Sequence, residues 1–249
     1  MKKVLLLASI LALLPLTTNA ITIVGLGIDR SGSINSSDFQ LQINAYKSAI
    51  ADTSVIPLDS SVAIGVWSFG SSVNEHFAPS LIDSNNIGDL LTSFDSIPSG
   101  GLTALGSAID TISSSILGFA QPGDRTVIDI STDGRDTTGG NPDVSSANAI
   151  AAGIDQVNGL GVGLNADLSF IGGVDSFAIS VDNFSDFEDA IKRKLRIEAG
   201  GSPIVVIPPS PISPNNPTSV PDSHGTIGLL FLSFAGLLFG RKKMNSNRS

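Results

Sequence analysis

Residues 23–34 read Ile23-Val24-Gly25-Leu26-Gly27-Ile28-Asp29-Arg30-Ser31-Gly32-Ser33-Ile34. An apolar run that stops abruptly at Asp-Arg-Ser-Gly-Ser has the pattern of a strand buried on both faces, as in a parallel sheet. Its carboxyl end delivers one carboxylate and two hydroxyls, Asp29, Ser31 and Ser33, spaced two apart. In an open α/β sheet that end of the strands is where ligands bind. Three hard oxygen donors suit a hard divalent cation, Mg²⁺ above all, which keeps waters and takes few carboxylates. Taken alone, D-x-S-x-S is equally the pattern of a Ser-rich turn capping the next helix.

Downstream, Ser37-Asp38-Phe39-Gln40 has the form of a capping box. Phe39, Ile43, Tyr46 and Ile50 follow at helical spacing, predicting a helix to about Asp52. Ser61 to Phe69 reads as a second strand, and Ser72 to Phe77, after a Gly70-Ser71 turn, as an antiparallel edge strand. Ile87, Leu90, Leu91 and Phe94 mark another helix. Gly100-Gly101-Leu102-Thr103-Ala104-Leu105-Gly106 then forms a Gly-rich turn, followed by a helix whose buried face is Ala108, Ile109, Ile112 and Ile116. Thr103 is either the N-cap of that helix or a further oxygen donor. Arg125 to Ser131 is a strand running into Thr132-Asp133-Gly134, so a second strand end delivers an Asp.

Asn141-Pro142-Asp143 opens a fourth helix, with Asn as cap and Pro in the first turn. Leu160 to Leu164 and Asp175 to Val181 predict two more strands. Ser185-Asp186-Phe187-Glu188 is a second capping box, leading into a helix whose last turn, Lys192 to Arg196, sets bases at the negative end of the dipole. Strands alternating with helices predict an α/β fold: a doubly wound, mostly parallel central sheet with helices on both faces and one antiparallel edge strand.

The 249 residues, 41% of them apolar, suffice for one such domain with a sizeable core. There is no cysteine, which excludes disulfides, thiolate metal sites and a cysteine nucleophile. The only histidines, His76 and His224, are far apart, which argues against a His-rich zinc site or a His-based triad. All 23 acidic residues lie between Asp29 and Asp222, a span holding 8 of the 14 bases. Such a field opposes nucleic-acid binding, attracts cations and favours solubility. With no His, Lys or Cys beside the oxygen donors to act as base or nucleophile, a binding protein rather than an enzyme is expected.

The two ends read as addresses. Residues 1–20 carry Lys2-Lys3, the apolar run Val4 to Leu14, and Thr18-Asn19-Ala20, the pattern of a secretory signal peptide. The predicted domain then occupies residues 21–200. Residues 201–219 are a Pro-rich linker, and residues 220–249 carry Val220-Pro221-Asp222-Ser223, the apolar run Ile227 to Phe239 and Arg241-Lys242-Lys243. That run is at or just below bilayer-spanning length. This tail resembles the PEP-CTERM class of bacterial sorting signals, in its Val-Pro-Asp-Ser variant. The resemblance implies an exosortase-type processing protease as partner and delivery to the cell surface or extracellular matrix of a Gram-negative bacterium. Membrane contact would be made through the C-terminal segment before processing, a plain single-span anchor being the alternative.

Three loops thus carry matched oxygen donors: Asp29, Ser31 and Ser33; Thr103; and Asp133. Their order, at intervals of about 70 and about 30 residues, resembles the von Willebrand factor type A (VWA) domain and its metal-ion-dependent adhesion site (MIDAS). The resemblance spans about Ile21 to Ala199. It is nearest a bacterial exported branch of uncharacterised members, through Trp67-Ser68, Thr103-Ala104-Leu105-Gly106, Val127-Ile128-Asp129 and Ala190-Ile191-Lys192-Arg193-Lys194-Leu195. It implies that Ser31, Ser33 and Thr103 bind the cation through hydroxyls, with Asp29 and Asp133 acting through bound water. The implied cofactor is Mg²⁺, with Mn²⁺ or Ca²⁺ as alternatives. The implied partner is a protein or glycan offering a carboxylate, because neutral hydroxyls leave the ion short of negative charge. The other reading is a structural matrix or biofilm protein whose site is vestigial or purely stabilising. Arg30 departs from the small or apolar residues usual between the ligand positions. On an extended strand end its side chain should point away from Asp29 and Ser31. Asp136 reads as a surface loop acid or an outer neighbour of the site.

Overall fold

The computed structural model describes residues 20–200. All of the predicted signal peptide except Ala20, the Pro-rich linker and the sorting segment lie outside the described residues. In chain order the elements are β1 (Thr22–Asp29), α1 (Ser36–Ala51), β2 (Asp59–Phe69), β3 (Val73–Asp83), α2 (Ile87–Ser93), α3 (Leu105–Phe119) and β4 (Arg125–Thr132), then α4 (Pro142–Ala152), β5 (Gln156–Val162), β6 (Gly172–Gly173), β7 (Ala178–Val181) and α5 (Phe187–Glu198). One sheet runs β3-β2-β1-β4-β5-β6, with β7 also paired to β5. β1 pairs in parallel with β2 and β4, and β5 in parallel with β4 and β7. β2/β3 and β5/β6 are antiparallel. This is the expected doubly wound α/β architecture, with β3 as the expected antiparallel edge strand and the two-residue β6 as a second antiparallel strand at the other edge.

Seven of the eight residues of β1 are buried, as its apolar run requires. Alternate side chains enter two cores. Val24, Leu26 and Ile28 join α1, α2 and α5 on one face. Ile23 lies on the other with Ile112 and Ile116 of α3 and Ala149 of α4. Gly25 lets α3 approach the sheet, because a Cβ there would collide with Ile112 and Ile116.

Several local expectations are corrected. Neither Ser37 nor Ser185 caps its helix. Asn35 Oδ1 accepts from the N–H groups of Ser37 and Asp38, and Asn183 Oδ1 from that of Ser185, at the start of a short 3₁₀ turn that precedes α5. In both cases an Asn placed two residues earlier reaches the orphan donors first. β3 extends past Phe77 to Asp83, tolerating Pro79 because it is an edge strand. β5 begins at Gln156 rather than Leu160. Its polar Gln156 and Asn158 break the apolar pattern but are buried with partners, Gln156 Nε2 on Val174 O and Asn158 Oδ1 under Phe177 N–H. β7 starts at Ala178, three residues later than expected, and β6, two glycines, has no pattern to read. Asn141 and Pro142 open α4 as predicted. The basic run is not uniformly a solvated last turn: Lys192 pairs with Glu188 outside, while Lys194 is fully buried. No helix among the described residues is long and apolar enough to cross a membrane.

Candidate metal centre

β1 and β4 are neighbours, and the strand order reverses between them, so their carboxyl ends flank the crevice in which such sheets bind ligands. Asp29 is the last residue of β1, and Asp133 directly follows Thr132, the last of β4. Ser31 Oγ lies 3.0 Å from Ser33 Oγ, and Ser33 Oγ donates to Asp133 Oδ1 at 2.7 Å. Asp29 is fully buried; its Oδ1 accepts from Ser31 N–H at 2.8 Å and its Oδ2 from Thr132 Oγ1 at 2.6 Å.

Thr103 reaches the same place from the third loop. Ser31, Ser33 and Thr103 together line a crevice of about 280 Å³ with Gly101, Leu102, Gly134 and Arg135. Thr103 does not cap α3, whose cap position is Ala104. Its main chain is instead held by Thr137: Thr103 N–H donates to Thr137 Oγ1, and Thr137 N–H returns a bond to Thr103 O, both at 2.9 Å. That leaves the nearly buried Thr103 hydroxyl free to serve the crevice. All five predicted ligands therefore belong to one constellation.

The loops are sewn to one another. Gly32 N–H donates to Gly101 O, and Leu102 N–H to Ser71 Oγ. Gly100 and Gly101 both adopt positive φ, which this tight approach demands. Arg30 points away from Asp29 and Ser31, as expected: its guanidinium donates to Gly100 O at 2.6 Å and to Ser72 Oγ at 3.4 Å. It braces the Gly-rich loop rather than facing the crevice.

Sequence reading missed two contributors, Thr132 and Gln42, and left the role of a third, Asp136, open. Thr132 orients the Asp29 carboxylate. Gln42 Nε2 donates to Asp29 O at 2.8 Å. Asp136, read as a surface acid or an outer neighbour, caps α3 from another loop: its Oδ1 accepts from Leu105 and Gly106 N–H at 2.8 and 3.3 Å, fixing the chain just after Thr103. Only the Thr-Asp-x-x-Asp spacing around Asp133 hinted at any of them.

Burial pushes the Asp29 carboxyl up to about 6; hydrogen bonds from Ser31 and Thr132 oppose the rise, and the charge of Asp133 adds to it. Asp133 is likewise raised, chiefly by burial. Two carboxylates that resist ionisation beside three hydroxyls form a site short of positive charge. Among the described residues no three His, Cys, Asp or Glu side chains converge as a metal-binding group. A cation here would be held largely by hydroxyls, a donor set that fits a hard divalent ion.

A family model described as protein of unknown function (DUF1194) matches residues 22–203. No curated protein matches the sequence. Among solved structures, the chain is similar to proximal thread matrix protein 1 from the mussel byssus, in a structure with a zinc-occupied MIDAS motif. The TM-score is 0.58 at 19% identity, over 70% of this chain and 46% of that one. It is similar to a von Willebrand factor type A protein from Catenulispora acidiphila, with TM-score 0.60 at 14% identity over 73% of this chain and 43% of that one. It is also similar to the pilus adhesin SpaC from Lactobacillus rhamnosus GG, with TM-score 0.59 at 13% identity over 72% and 30%. The chain spans less than half the length of each of these three, and the likeness is one of fold.

Proposed function

Because the chain belongs to the family described as protein of unknown function (DUF1194) and has the VWA-type fold, we propose that it is an exported adhesion or matrix module that binds its ligand through a divalent cation. The observation that carries this reading is the meeting of Ser31, Ser33 and Thr103 with Asp29 and Asp133 at the β1/β4 crevice. Ser31, Ser33 and Thr103 would hold the cation through hydroxyls, and Asp29 and Asp133 would steady it through water. A bound Mg²⁺ supplies a Lewis-acidic position for one further anionic oxygen.

The chain's own residues prepare the place. Thr132 and the Ser31 N–H fix the Asp29 carboxylate, and Arg30 and Asp136 hold the Gly100–Leu105 loop from both sides. Arg135, exposed on the crevice rim, offers a charge complementary to an incoming carboxylate. An acidic protein or glycan is therefore the favoured partner class. That an adhesin and a matrix protein share the fold supports the reading, as do the signal-like and sorting-like ends of the sequence. No catalytic role is proposed.

Calorimetric titration of Mg²⁺ and Mn²⁺ into the purified domain tests it, with the double variant Asp29→Ala/Asp133→Ala as control. Saturable heat in the wild type and none in the variant is expected. Equal traces would overturn the cation site. Capture of partners from the native cell surface should then be lost in EDTA; undiminished capture would leave the cation a purely stabilising role.

A further inference from the structure

A second chemistry-bearing cluster lies within the sheet layer, on the face covered by α1 and α5. Lys194 and Glu198 of α5 and Asp129 of β4 are all completely buried. Lys194 Nζ lies 2.6 Å from Asp129 Oδ1 and 2.5 Å from Glu198 Oε1. Its nitrogen also stands 5.7 Å from the centre of the Phe177 ring. Glu198 is positioned from two sides: Asn158 Nδ2 donates to Oε1 at 2.9 Å, and Arg125 donates to its backbone carbonyl. Tyr46 places a buried hydroxyl from α1 against the same charges.

Two features set this cluster apart from an ordinary ion pair. One fully buried ammonium faces two fully buried carboxyls, so the group has one more carboxyl than it has cations. Burial first, and then the charge of Asp129, push the Glu198 carboxyl up to about 8 against the pull of Lys194. The protonated, neutral form of Glu198 is thus favoured, an acid held beside the Lys194 amine. Second, Nζ sits within 2.6 Å of Asp129 Oδ1, yet neither Asp129 oxygen has a partner in hydrogen-bond geometry. The amine approaches the carboxyl group off the direction in which an ammonium proton would bond it. A buried triad of this kind is also a weak stabiliser as an ionic contact.

An amine held against one carboxyl, a second acid bonded to that same amine, and full burial of all three groups are the requirements for acyl transfer. We infer that Lys194 and Asp129 join spontaneously in the folded protein as an isopeptide, with Glu198 as the proton relay. An ammonium proton passes by way of Glu198 to Asp129, leaving a neutral amine and a carboxylic acid. The Nζ lone pair then forms a bond to Asp129 Cγ. One Cγ–O bond breaks, and that oxygen leaves as water after Glu198 carries a proton to it from Nζ. Ammonium plus carboxylate become amide plus water, Glu198 is regenerated, and no oxidant or cofactor is consumed. The cross-link would tie α5, the last element before the Pro-rich stretch, to a central strand of the sheet.

Peptide mass spectrometry of the purified full chain tests this. Acylation protects Lys194 from trypsin, so residues 126–135 should be recovered joined to residues 194–196, lighter than their sum by one water. The same species should be absent from Lys194→Met and lost or much slowed in Glu198→Gln. Recovery of residues 126–135 unlinked from the aged, folded wild type overturns the inference, whether or not either variant folds. So does loss of water confined to residues 126–135 alone. Unchanged linkage in Glu198→Gln overturns the relay.

Discussion

Asp29 carries the heaviest electrostatic load at the crevice, and its titration has a defined sign. Its pKa is raised from 3.8 to about 6 in the fold, so the folded, metal-free protein favours the protonated form. The associated stability is present at low pH and is lost as pH rises through about 6. Metal-free domain should therefore gain stability as pH falls from 7 toward 5, the full linkage at this one residue being about 3 kcal/mol. Denaturant melts at several pH values measure it, and Mg²⁺ should flatten the slope. Proton and cation compete for the same carboxylate, so calorimetric Mg²⁺ affinity should drop as pH falls through about 6. Arg30 makes an equally sharp case. If its charge opposed the cation, removing it would tighten binding; because it braces Gly100 and Ser72, Arg30→Ala should instead weaken Mg²⁺ binding and cost about 2 kcal/mol of stability. Arg30→Lys should rescue only part, since an ammonium cannot reproduce the guanidinium fork.

At the scale of elements, α3 links the site at its first turn to the core along its length. Its first turn is capped from a neighbouring loop by Asp136, so Asp136→Ala should cost about 1 kcal/mol. It should also lower Mg²⁺ affinity, because Thr103 lies immediately before that turn; the same titration reads both Thr103→Ala and Asp136→Ala. Further along, Ile112 and Ile116 occupy the space beside Gly25 of β1. Gly25→Ala should destabilise by about 1–3 kcal/mol through overpacking, with the helix pushed off the strand. Helix and strand types were legible because burial on one face imposes its period on the residues. Caps were less so: Asn35 and Ser37 both have suitable side chains, and only the path of the chain decides which oxygen meets the first N–H groups.

For the whole molecule, a ligand that binds only the native state adds its binding free energy to stability. Mg²⁺ at 100-fold over its dissociation constant should raise stability by about 2.7 kcal/mol. A thermal melt should shift upward in the wild type and stay unchanged in Asp29→Ala/Asp133→Ala. The sequence by itself determined the α/β class, the order of every element but the two-residue β6, and the five oxygen donors. Apolar runs, glycines and polar strand ends are local, and each residue's own solvation states whether it lies inside or at an end. Only the tertiary structure decided which ends meet. Pairing of β1 with β4 brings Ser33 against Asp133 across 100 residues of chain. It also turns Thr132, Asp136 and Arg30, each an ordinary loop or strand residue in the sequence, into supports of the crevice. The same holds for Lys194, one of four bases in a short run. Helical rotation aims it into the sheet, where it finds Asp129, because a long-range contact is a property of topology and leaves no periodic trace in the chain.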